Sequence, residues 1–275
     1  MNQDIFFDVM RSQLLAQAAW YDLSSKDRRQ AVTKLVADQF LMMQHQLETE
    51  CFLEIGAHEA GFSRHVCKEY PDARVYAFEA NPHVYRRYAE SLATDFPAID
   101  YRNIAVGATN GMVDFWLVTE LEGKEESLAG KRSSLLHRVD DSSKTIVESL
   151  QSITLDTFVK QENLSGKNLC LWIDVEGATG LVLEGATATL PSITSLFIEV
   201  EIKTVWENQW SFRTLVNWLY EHDFVPVLRD FQYAKQFNCA FIRKDCLGKV
   251  EFDLSLYIQR SVRQRIQALT GLPVL

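Results

Sequence analysis

A short turn after a buried, strand-like run is the first feature with chemical potential. The run Cys51–Ile55 is apolar apart from Glu54, and the sequence Gly56-Ala-His-Glu-Ala-Gly61 follows it. In a parallel sheet, the turn after the first strand is where the backbone approaches a nucleotide or nucleoside. Gly56 permits that approach, and the small residues that end the turn let the next helix lie close to the strand. We therefore predict a ligand-binding turn.

An acidic residue ends the next strand-like run. Arg74–Phe78 is followed by Glu79, which lies 23 residues after Gly56. A carboxylate at this position can accept hydrogen bonds from both hydroxyls of a ribose. Glycine turns and acidic strand ends are each common, but their order and spacing here indicate a cofactor that contains adenosine.

Two residues of the turn argue against a dinucleotide. A pyrophosphate site uses the pattern G-x-G-x-x-G, but His58 stands at the second glycine position, where its side chain would crowd the phosphates. Glu54 would add negative charge there, whereas it suits a ligand with a cationic centre and an amino group. S-adenosylmethionine has a sulfonium, an ammonium group and a ribose, and it has no phosphate. The pattern E-x-G-x-x-x-[AG], the acid after the second strand and a terminal β-hairpin point to a class I methyltransferase.

More polar residues follow the later strands. Asp174 and Glu176 follow one apolar run, and Glu199 and Glu201 end the next. Ligands of open α/β sheets bind at the carboxyl ends of the strands, so these acids should share one rim. Asn103-Ile104-Ala105 follows the third strand, where an adenine edge would be held. The predicted cofactor-binding residues are Glu54, Gly56, Ala57, His58, Gly61, Phe62, Ser63, Glu79, Ala80, Asn81, Asn103, Ile104, Ala105 and Asp174.

Methyl transfer to an alcohol requires an oriented acceptor oxygen and a base for its proton. We predict that Asp174 orients the acceptor or holds the amino group of the cofactor, with Glu199 and His137 as alternative bases. Other interpretations remain open. Glu176 and Asp174 could cap the following helix, and the acids of the next strand could be solvated. All four carboxylates could also form an oxygen-rich Mg²⁺ site.

Apolar runs that alternate with helical segments predict a doubly wound α/β domain. The predicted sheet has seven strands, is mostly parallel, and ends in an antiparallel strand because only about ten residues join its last two runs. The apolar runs are Cys51–Ile55, Arg74–Phe78, Tyr101–Val106, Met112–Val118, Leu169–Ile173, Ser195–Val200, Phe224–Leu228 and Cys239–Ile242. Helices are predicted over Ser211 to His222, with Ser211 as N-cap, and over Ala178 to Leu190.

Three further segments complete the predicted organisation. Residues 1–48 form a helical N-terminal extension, capped internally by Ser24 or Ser25, and residues 49–245 form the main domain. Within that domain, the polar stretch 120–149 is predicted to be either a solvated insertion or a substrate lid. Residues 246–275 form an amphipathic helical tail that packs on the body or, alternatively, contacts a second copy. The polar stretch contains Lys131, Arg132, Ser133, Ser134, His137 and Arg138.

Five segments, in order along the chain, resemble the FkbM family of S-adenosylmethionine-dependent methyltransferases. They are Glu54-Ile-Gly-Ala-His-Glu-Ala-Gly-Phe-Ser63, Val75-Tyr-Ala-Phe-Glu-Ala-Asn-Pro82, Asn103-Ile-Ala-Val-Gly107, Ile153-Thr-Leu-Asp-Thr-Phe158 and Ile173-Asp-Val-Glu-Gly-Ala178. The resemblance covers roughly residues 51–244 and implies methyl transfer to an oxygen, often a hydroxyl of a sugar or a polyketide. The chain departs from the family pattern at Ala60, where glycine is more common.

Composition narrows the possible partners and compartments. The chain has 275 residues, 28 basic and 37 acidic, and thus a net charge of −9, which disfavours a general nucleic-acid binder. No apolar run approaches the ~18 residues of a membrane span, and Met1–Met10 lacks the basic start of a signal peptide. The five cysteines form no C-x-x-C pair, so no disulfide framework or zinc site is indicated. We expect a cytoplasmic protein.

The sequence therefore predicts an O-methyltransferase that uses S-adenosylmethionine, with a glycan or a hydroxylated natural product as acceptor. A nicotinamide-dependent oxidoreductase on the same fold is the first alternative, which Glu54 and His58 disfavour. A non-catalytic scaffold that retains the cofactor site is the second, since one fold hosts unrelated functions. A homodimer through the terminal helices is a further possibility.

Overall fold

The computed structural model describes residues 3–139 and 142–250. The strands are β1 (Cys51–Ile55), β2 (Arg74–Phe78), β3 (Ile99–Arg102), β4 (Ala105–Val106), β5 (Gly111–Leu121), β6 (Lys124–Glu125), β7 (Ser143–Ile153), β8 (Leu169–Ile173), β9 (Ile193–Glu201), β10 (Phe224–Arg229) and β11 (Gln236–Arg243). The α-helices are α1 (Gln3–Ala16), α2 (Lys26–Gln46), α3 (Gly61–Glu69), α4 (Pro82–Asp95), α5 (Leu155–Gln161), α6 (Thr179–Glu184) and α7 (Phe212–Glu221).

Seven strands form the central sheet in the order β10-β11-β9-β8-β1-β2-β3. Only β11 runs antiparallel to its neighbours β9 and β10, while the other adjacent pairs are parallel. The predicted fold class, a doubly wound sheet with one antiparallel strand, is confirmed. The order in which the chain adds strands changes side at β1 and β8: β2 and β3 lie beyond β1, and the later strands lie beyond β8. The loops that follow β1 and β8 therefore diverge and leave a crevice, the usual ligand site of such sheets.

Three of the predictions are corrected by a second, four-stranded sheet. Its order is β4-β7-β5-β6, with β5 and β7 paired as a long antiparallel hairpin. The predicted strand Tyr101–Val106 is divided between the two sheets, and Met112–Val118 belongs to this hairpin rather than to the central sheet. Residues 143–149, predicted as part of a loop, are in β7. The sequence did not indicate this strand because its side chains are largely polar. An antiparallel strand with one solvent-exposed face needs no continuous apolar run.

The predicted N-terminal helices are present and pack against the central sheet. The side chain of Ser25 caps α2 by accepting a hydrogen bond from the N–H of Arg28. On the same helix, Phe40 is fully buried with its ring centroid 5.0 Å from that of Phe197 on β9. At the end of the first helical segment, Gln17 donates to the carbonyl of Val227 at 2.8 Å. These contacts bury one face of the sheet and leave the carboxyl ends of its strands free.

The helices around the site differ in how well their ends were predicted. Helix α7 begins after Ser211, which accepts a hydrogen bond from the N–H of Thr214, as predicted. The helix predicted over Ala178–Leu190 is shorter, since α6 ends at Glu184. The next residue, Gly185, lies so close to the carbonyl of Gly107 that a Cβ would be 2.1 Å from its oxygen.

The last predictions about organisation lie partly beyond the described residues. A 3₁₀ turn covers Lys244–Lys249, while the predicted helix in residues 251–275, and with it the proposed dimer contact, is outside the described part. Within residues 3–139 and 142–250, no helix is long and apolar enough to cross a membrane.

Candidate active site

A cavity of about 230 Å³ opens at the carboxyl ends of β1, β2, β8 and β9. One wall comes from the central sheet, and the other comes from the second sheet and the loop between β5 and β7. The predicted site residues that line it are Gly56, His58, Glu79, Ala80, Asn81, Ile104, Ala105, Asp174 and Glu199. The predicted residues outside the lining are Glu54, Ala57, Gly61, Phe62, Ser63, Asn103 and His137.

The turn after β1 is held against the end of β8. Gly56 has a φ of +81°, and a Cβ there would lie 1.7 Å from the carbonyl oxygen of Asp174. The N–H of Asp174 in turn donates to the carbonyl of Ile55 at 2.9 Å. Glycine is therefore required at this position for two reasons, the left-handed backbone and the close approach. This contact fixes Asp174 at the cavity wall.

Glu54 does not face the cavity but fastens α3 to the sheet. Its carboxylate accepts the N–H of Phe62 at 3.2 Å, the N–H of Ser63 at 2.8 Å and the hydroxyl of Ser63 at 2.6 Å. The N-cap residue of this helix, Ala60, has no side chain that could do this. A buried strand residue thus replaces the missing cap and neutralises the positive end of the helix dipole.

Burial raises the pKa of the Glu54 carboxyl group above its ordinary value. Glu54 is only 5% exposed, and desolvation raises its pKa to about 7, although its three hydrogen bonds favour the ionised form. The charge of nearby Asp174 raises the pKa of Glu54 further. Helix α3 is therefore joined to the sheet by a group that titrates near neutral pH.

Glu79, the predicted ribose ligand, lines the cavity and is fixed by two backbone groups. It accepts the N–H of His58 and the N–H of Asn81, both at 2.7 Å, and burial raises its pKa to about 7. Asn81 caps α4 with its side-chain oxygen and reaches the carbonyl of Leu128 with its amide nitrogen at 2.7 Å. Asn103 donates to the carbonyl of Glu79 at 2.8 Å, so it supports the turn instead of lining the cavity.

Strand register brings the predicted acids together. Ile173 of β8 pairs with Ile198 of β9, which puts Asp174 and Glu199, the next residues, side by side. Glu199 and Glu201 alternate with Val200, and thus share one face of β9. Carboxylate oxygens of Glu176, Glu199 and Glu201 lie within 4.8 Å of one another. The predicted cluster therefore exists, and its oxygen donors are of the type that Mg²⁺ takes.

The largely desolvated carboxylates of Asp174, Glu176, Glu199 and Glu201 must be neutralised by bound protons or by a cation. Burial raises the pKa of Asp174, Glu176, Glu199 and Glu201, and repulsion by neighbouring carboxylates raises the pKa of Glu176 and Glu199 further. Asp174 and Glu199 share a hydrogen bond, and we assign the shared proton to Glu199 because three other carboxylates surround it. Asp174 is then the ionised member, and the charge of Lys131 lowers its pKa and so favours that form.

The geometry around Glu176 depends on two glycines and two tryptophans. Glu176 and Gly177 both have positive φ, and a Cβ on Gly177 would lie 2.3 Å from the ring of the fully buried Trp206. A Cβ on Gly180 would similarly lie 2.7 Å from the ring of Trp210. The loop after β9 therefore closes onto the start of α6. Sequence reasoning missed these tryptophans, although two tryptophans separated by three polar residues, shortly after an acidic strand end, are a visible feature.

His137 lies outside the cavity lining. Its ring packs on Trp116 with a centroid distance of 4.3 Å, and its Nδ1 atom is 3.3 Å from a carboxylate oxygen of Glu207. The backbone N–H of Glu207 donates to the carbonyl of His137 at 2.8 Å. These contacts join the β5–β7 loop to the loop after β9, and so indicate a structural position for His137.

The β5–β7 hairpin supplies cavity residues that were not predicted as site residues. Phe115 on β5 and Lys131, Ser133 and Leu135 in the following loop line the cavity opposite the sheet. Ser134 is pinned there by two backbone bonds to Trp116, of 2.8 and 3.1 Å. The polarity of this segment left both a solvated insertion and a substrate lid open as predictions.

Removing the remote helix cap should destabilise the protein. We expect Glu54→Ala to lower the free energy of unfolding by about 2–4 kcal/mol, because it leaves two N–H groups and one hydroxyl buried without an acceptor. Chemical denaturation at about pH 8, above the raised pKa, measures this. Glu59→Ala, an exposed acid of the same turn, is the control. Equal effects of the two variants would contradict the capping role.

Stability of the ligand-free protein should fall as the pH rises. The buried carboxyl groups bind protons more tightly in the folded chain than in the unfolded one, so their contribution is complete below pH about 4.5 and is lost as the pH rises through about 7. We expect Glu199→Gln to reduce this loss between pH 5 and pH 8, because burial and the neighbouring carboxylates raise the pKa of Glu199 in the folded chain. Denaturation series across that range, with the exposed Glu207→Gln as control, test the sign; a wild-type stability that rises with pH would refute it.

Comparison with known proteins adds the family to this geometry. The 2-O-methyltransferase NoeI of Sinorhizobium fredii (strain NBRC 101917 / NGR234) is 23% identical over 171 residues, which are 61% of this chain and 70% of NoeI. Among solved structures, precorrin-6y C5,15-methyltransferase from Geobacter metallireducens matches at 13% identity over 74% of this chain and 87% of its own, with a TM-score of 0.38. TrmK from M. capricolum, solved with S-adenosyl-homocysteine, matches at 11% identity over 84% and 85%, with a TM-score of 0.39.

Superpositions with TM-scores of this size do not by themselves define the fold, which rests on the strand order described above. The model of the methyltransferase FkbM domain matches residues 54–226. That range is more than half of the chain and contains the turn after β1, Glu79 and the acidic ends of β8 and β9. The chain therefore belongs to the FkbM methyltransferase domain family.

Proposed function

We propose that this methyltransferase uses S-adenosylmethionine and transfers the methyl group to a hydroxyl oxygen of a sugar, a glycan or a hydroxylated natural product. The observation that carries the proposal is the single cavity lined by both Glu79 and Asp174. It joins a carboxylate suited to ribose hydroxyls with one suited to an acceptor hydroxyl.

Backbone N–H groups of the turn are already hydrogen-bonded within the protein, and this favours a cofactor without phosphates. A pyrophosphate binds the free N–H groups at the start of the first helix, but the N–H groups of Phe62 and Ser63 are bonded to Glu54. The N–H of His58 is bonded to Glu79. These bonds argue against the nicotinamide-dependent alternative on physical grounds, since a dinucleotide would meet carboxylates where it needs donors.

The residues of the chain have distinct parts in the proposed reaction. Bound S-adenosylmethionine would supply an electrophilic methyl group on a sulfonium. Glu79 accepts the ribose hydroxyls, while Ile104 and Ala105 line the apolar side of the cavity where an adenine fits. Asp174 accepts the hydrogen bond of the acceptor hydroxyl and takes its proton, and the protonated Glu199 orients Asp174. In-line placement of the hydroxyl oxygen provides much of the rate.

A polyhydroxylated acceptor suits the acidic rim. Each carboxylate oxygen can accept more than one hydrogen bond, so Glu176, which lines the cavity together with Asp174, offers further sites for neighbouring hydroxyls. The name of NoeI, a 2-O-methyltransferase, supports oxygen as the methyl acceptor. The net charge of −9 argues against a nucleic acid. All five cysteines are free thiols, which favours the cytoplasm as the site of action.

Cofactor binding tests the first half of the proposal. By calorimetry we expect saturable binding of S-adenosylhomocysteine and none of NAD⁺. Glu79→Gln should weaken S-adenosylhomocysteine about tenfold, because the amide cannot accept both ribose hydroxyls. Glu59→Gln, on the exposed side of the same turn, should bind as the wild type does. Binding of NAD⁺ alone would replace the proposal with the oxidoreductase alternative.

Turnover with a panel of hydroxylated acceptors tests the second half. Asp174→Asn should fold, bind S-adenosylhomocysteine within about threefold of wild type, and lose about 10²–10⁴-fold in kcat, the usual contribution of a general base. His137→Asn, outside the cavity, should keep its turnover. Equal rates for wild type and Asp174→Asn would remove Asp174 from the mechanism. Cofactor binding without methylation of any acceptor would favour the scaffold alternative.

The same assay decides the role of a metal. Glu176, Glu199 and Glu201 offer the oxygen donors of a Mg²⁺ site, with Asp174 adjacent. Loss of turnover in EDTA that Mg²⁺ restores would assign Mg²⁺ to this cluster. Equal rates with Mg²⁺ and with EDTA would leave the cluster to bind protons and acceptor hydroxyls.

A further inference from the structure

One cation at the cavity has no partner of its own. Lys131 lines the cavity and forms no ion pair or hydrogen bond with the described residues. Its neighbours in the loop are engaged, since Arg132 pairs with Glu126 at 2.6 Å and Arg138 stacks 5.3 Å above the ring of Trp206. A lysine left unpaired beside several carboxylates is available to a ligand.

The loop that carries Lys131 is fixed on both sides of it. Before it, the carbonyl of Leu128 accepts the amide of Asn81 at 2.7 Å. After it, the hydroxyl of Ser134 donates to the carbonyl of Glu176 at 2.8 Å. These two contacts bind the loop to the ends of β2 and β8 and hold Lys131 across the mouth of the cavity.

The position of Lys131 along the cavity is set by its electrostatic neighbours. Its charge lowers the pKa of both His58, after β1, and Asp174, after β8. Ile104 and Ala105, on the proposed adenine side, follow β3, which is two strands from β1 in the sheet. Lys131 therefore lies at the end of the cavity away from the adenine.

An anionic group at this end finds few backbone donors. The N–H groups of Gly56 and Ala57 both donate to the carbonyl of Phe78, at 3.0 and 2.9 Å. The N–H of His58 is held by Glu79, and the start of α3 is held by Glu54. A carboxylate bound here therefore needs a cationic side chain, and within the described residues Lys131 is the unpaired cation that lines the cavity.

We propose that Lys131 binds the α-carboxylate of the methionine part of S-adenosylmethionine from across the cavity. The inference rests on the proposed function, because it needs the cofactor in this cavity. The hairpin then completes the cofactor site, and cofactor binding should hold this loop against the sheet. A negatively charged acceptor is the other source of an anion at this position, and the experiment separates the two.

Calorimetry with two ligands that differ only in the carboxylate tests this assignment. We expect Lys131→Met to weaken S-adenosylmethionine about tenfold or more, as for the loss of one charge-assisted bond, and to leave decarboxylated S-adenosylmethionine unchanged. Lys131→Arg should recover most of the affinity. Lys124→Met, which removes an exposed lysine of the same hairpin outside the cavity lining, is the matched control.

Each contrary outcome overturns a different statement. A wild-type protein that binds neither ligand would overturn the proposed function itself. Equal weakening of both ligands by Lys131→Met, with wild-type binding intact, would overturn only the carboxylate contact. Unchanged cofactor binding with a raised KM for an anionic acceptor would assign Lys131 to the acceptor and also overturn the inference.

Discussion

The site depends on one buried carboxylate that never faces a ligand. Glu54 takes the place of an N-cap for α3, and this bond network fixes the distance between the first strand and its helix. The turn between them is then too short to relax, so its backbone adopts left-handed angles at Gly56, His58 and Ala60. Asp174 contacts that turn directly, so the position of the proposed base follows from the cap.

Buried acids are costly unless they are ionised with partners or hold a proton. Here the chain solves the problem in two ways. Glu54 and Glu79 receive backbone N–H groups, while Asp174 and Glu199 share a proton across adjacent strands. The first solution rigidifies the turn, and the second keeps a proton acceptor beside a proton donor in the cavity. Asp174 and Glu199 come together because they follow a register pair, Ile173 and Ile198, of the adjacent parallel strands β8 and β9.

The sequence predicted well what buried strands and their ends determine. Cys51–Ile55, Arg74–Phe78 and Leu169–Ile173 were found with their bounds, because fully buried parallel strands are continuous apolar runs. The acids that follow two of these strands, Glu79 and Asp174, were predicted with them. Glu54 was expected to face the cofactor and instead bonds to α3, since spacing gives the position of a side chain but not its direction.

The second sheet was the main feature that the pattern of residues did not indicate. Most of β5 was predicted as a strand of the central sheet, but the mixed polar and apolar residues of β7 show no periodicity that separates such a strand from a loop. The contacts of Lys131 and His137 depend on how the β5–β7 hairpin folds back, which is a long-range matter. For the same reason Trp206 and Trp210, which close over two glycines of a distant turn, could not be paired with them beforehand.

The β5–β7 hairpin lets one side of the cavity change in sequence without a change in the central sheet. It is bonded to the remainder of its sheet through the two residues of β4, and its strand pairing is internal. Changes in the length or chemistry of the segment between its strands therefore leave the register of the central sheet untouched. The half of the cavity built on buried strands stays constant, while the opposite half can be exchanged as a unit. Exchange of this segment would change the acceptor side of the cavity together with the proposed carboxylate contact of Lys131, while Glu79 and Asp174 stay in place on the central sheet.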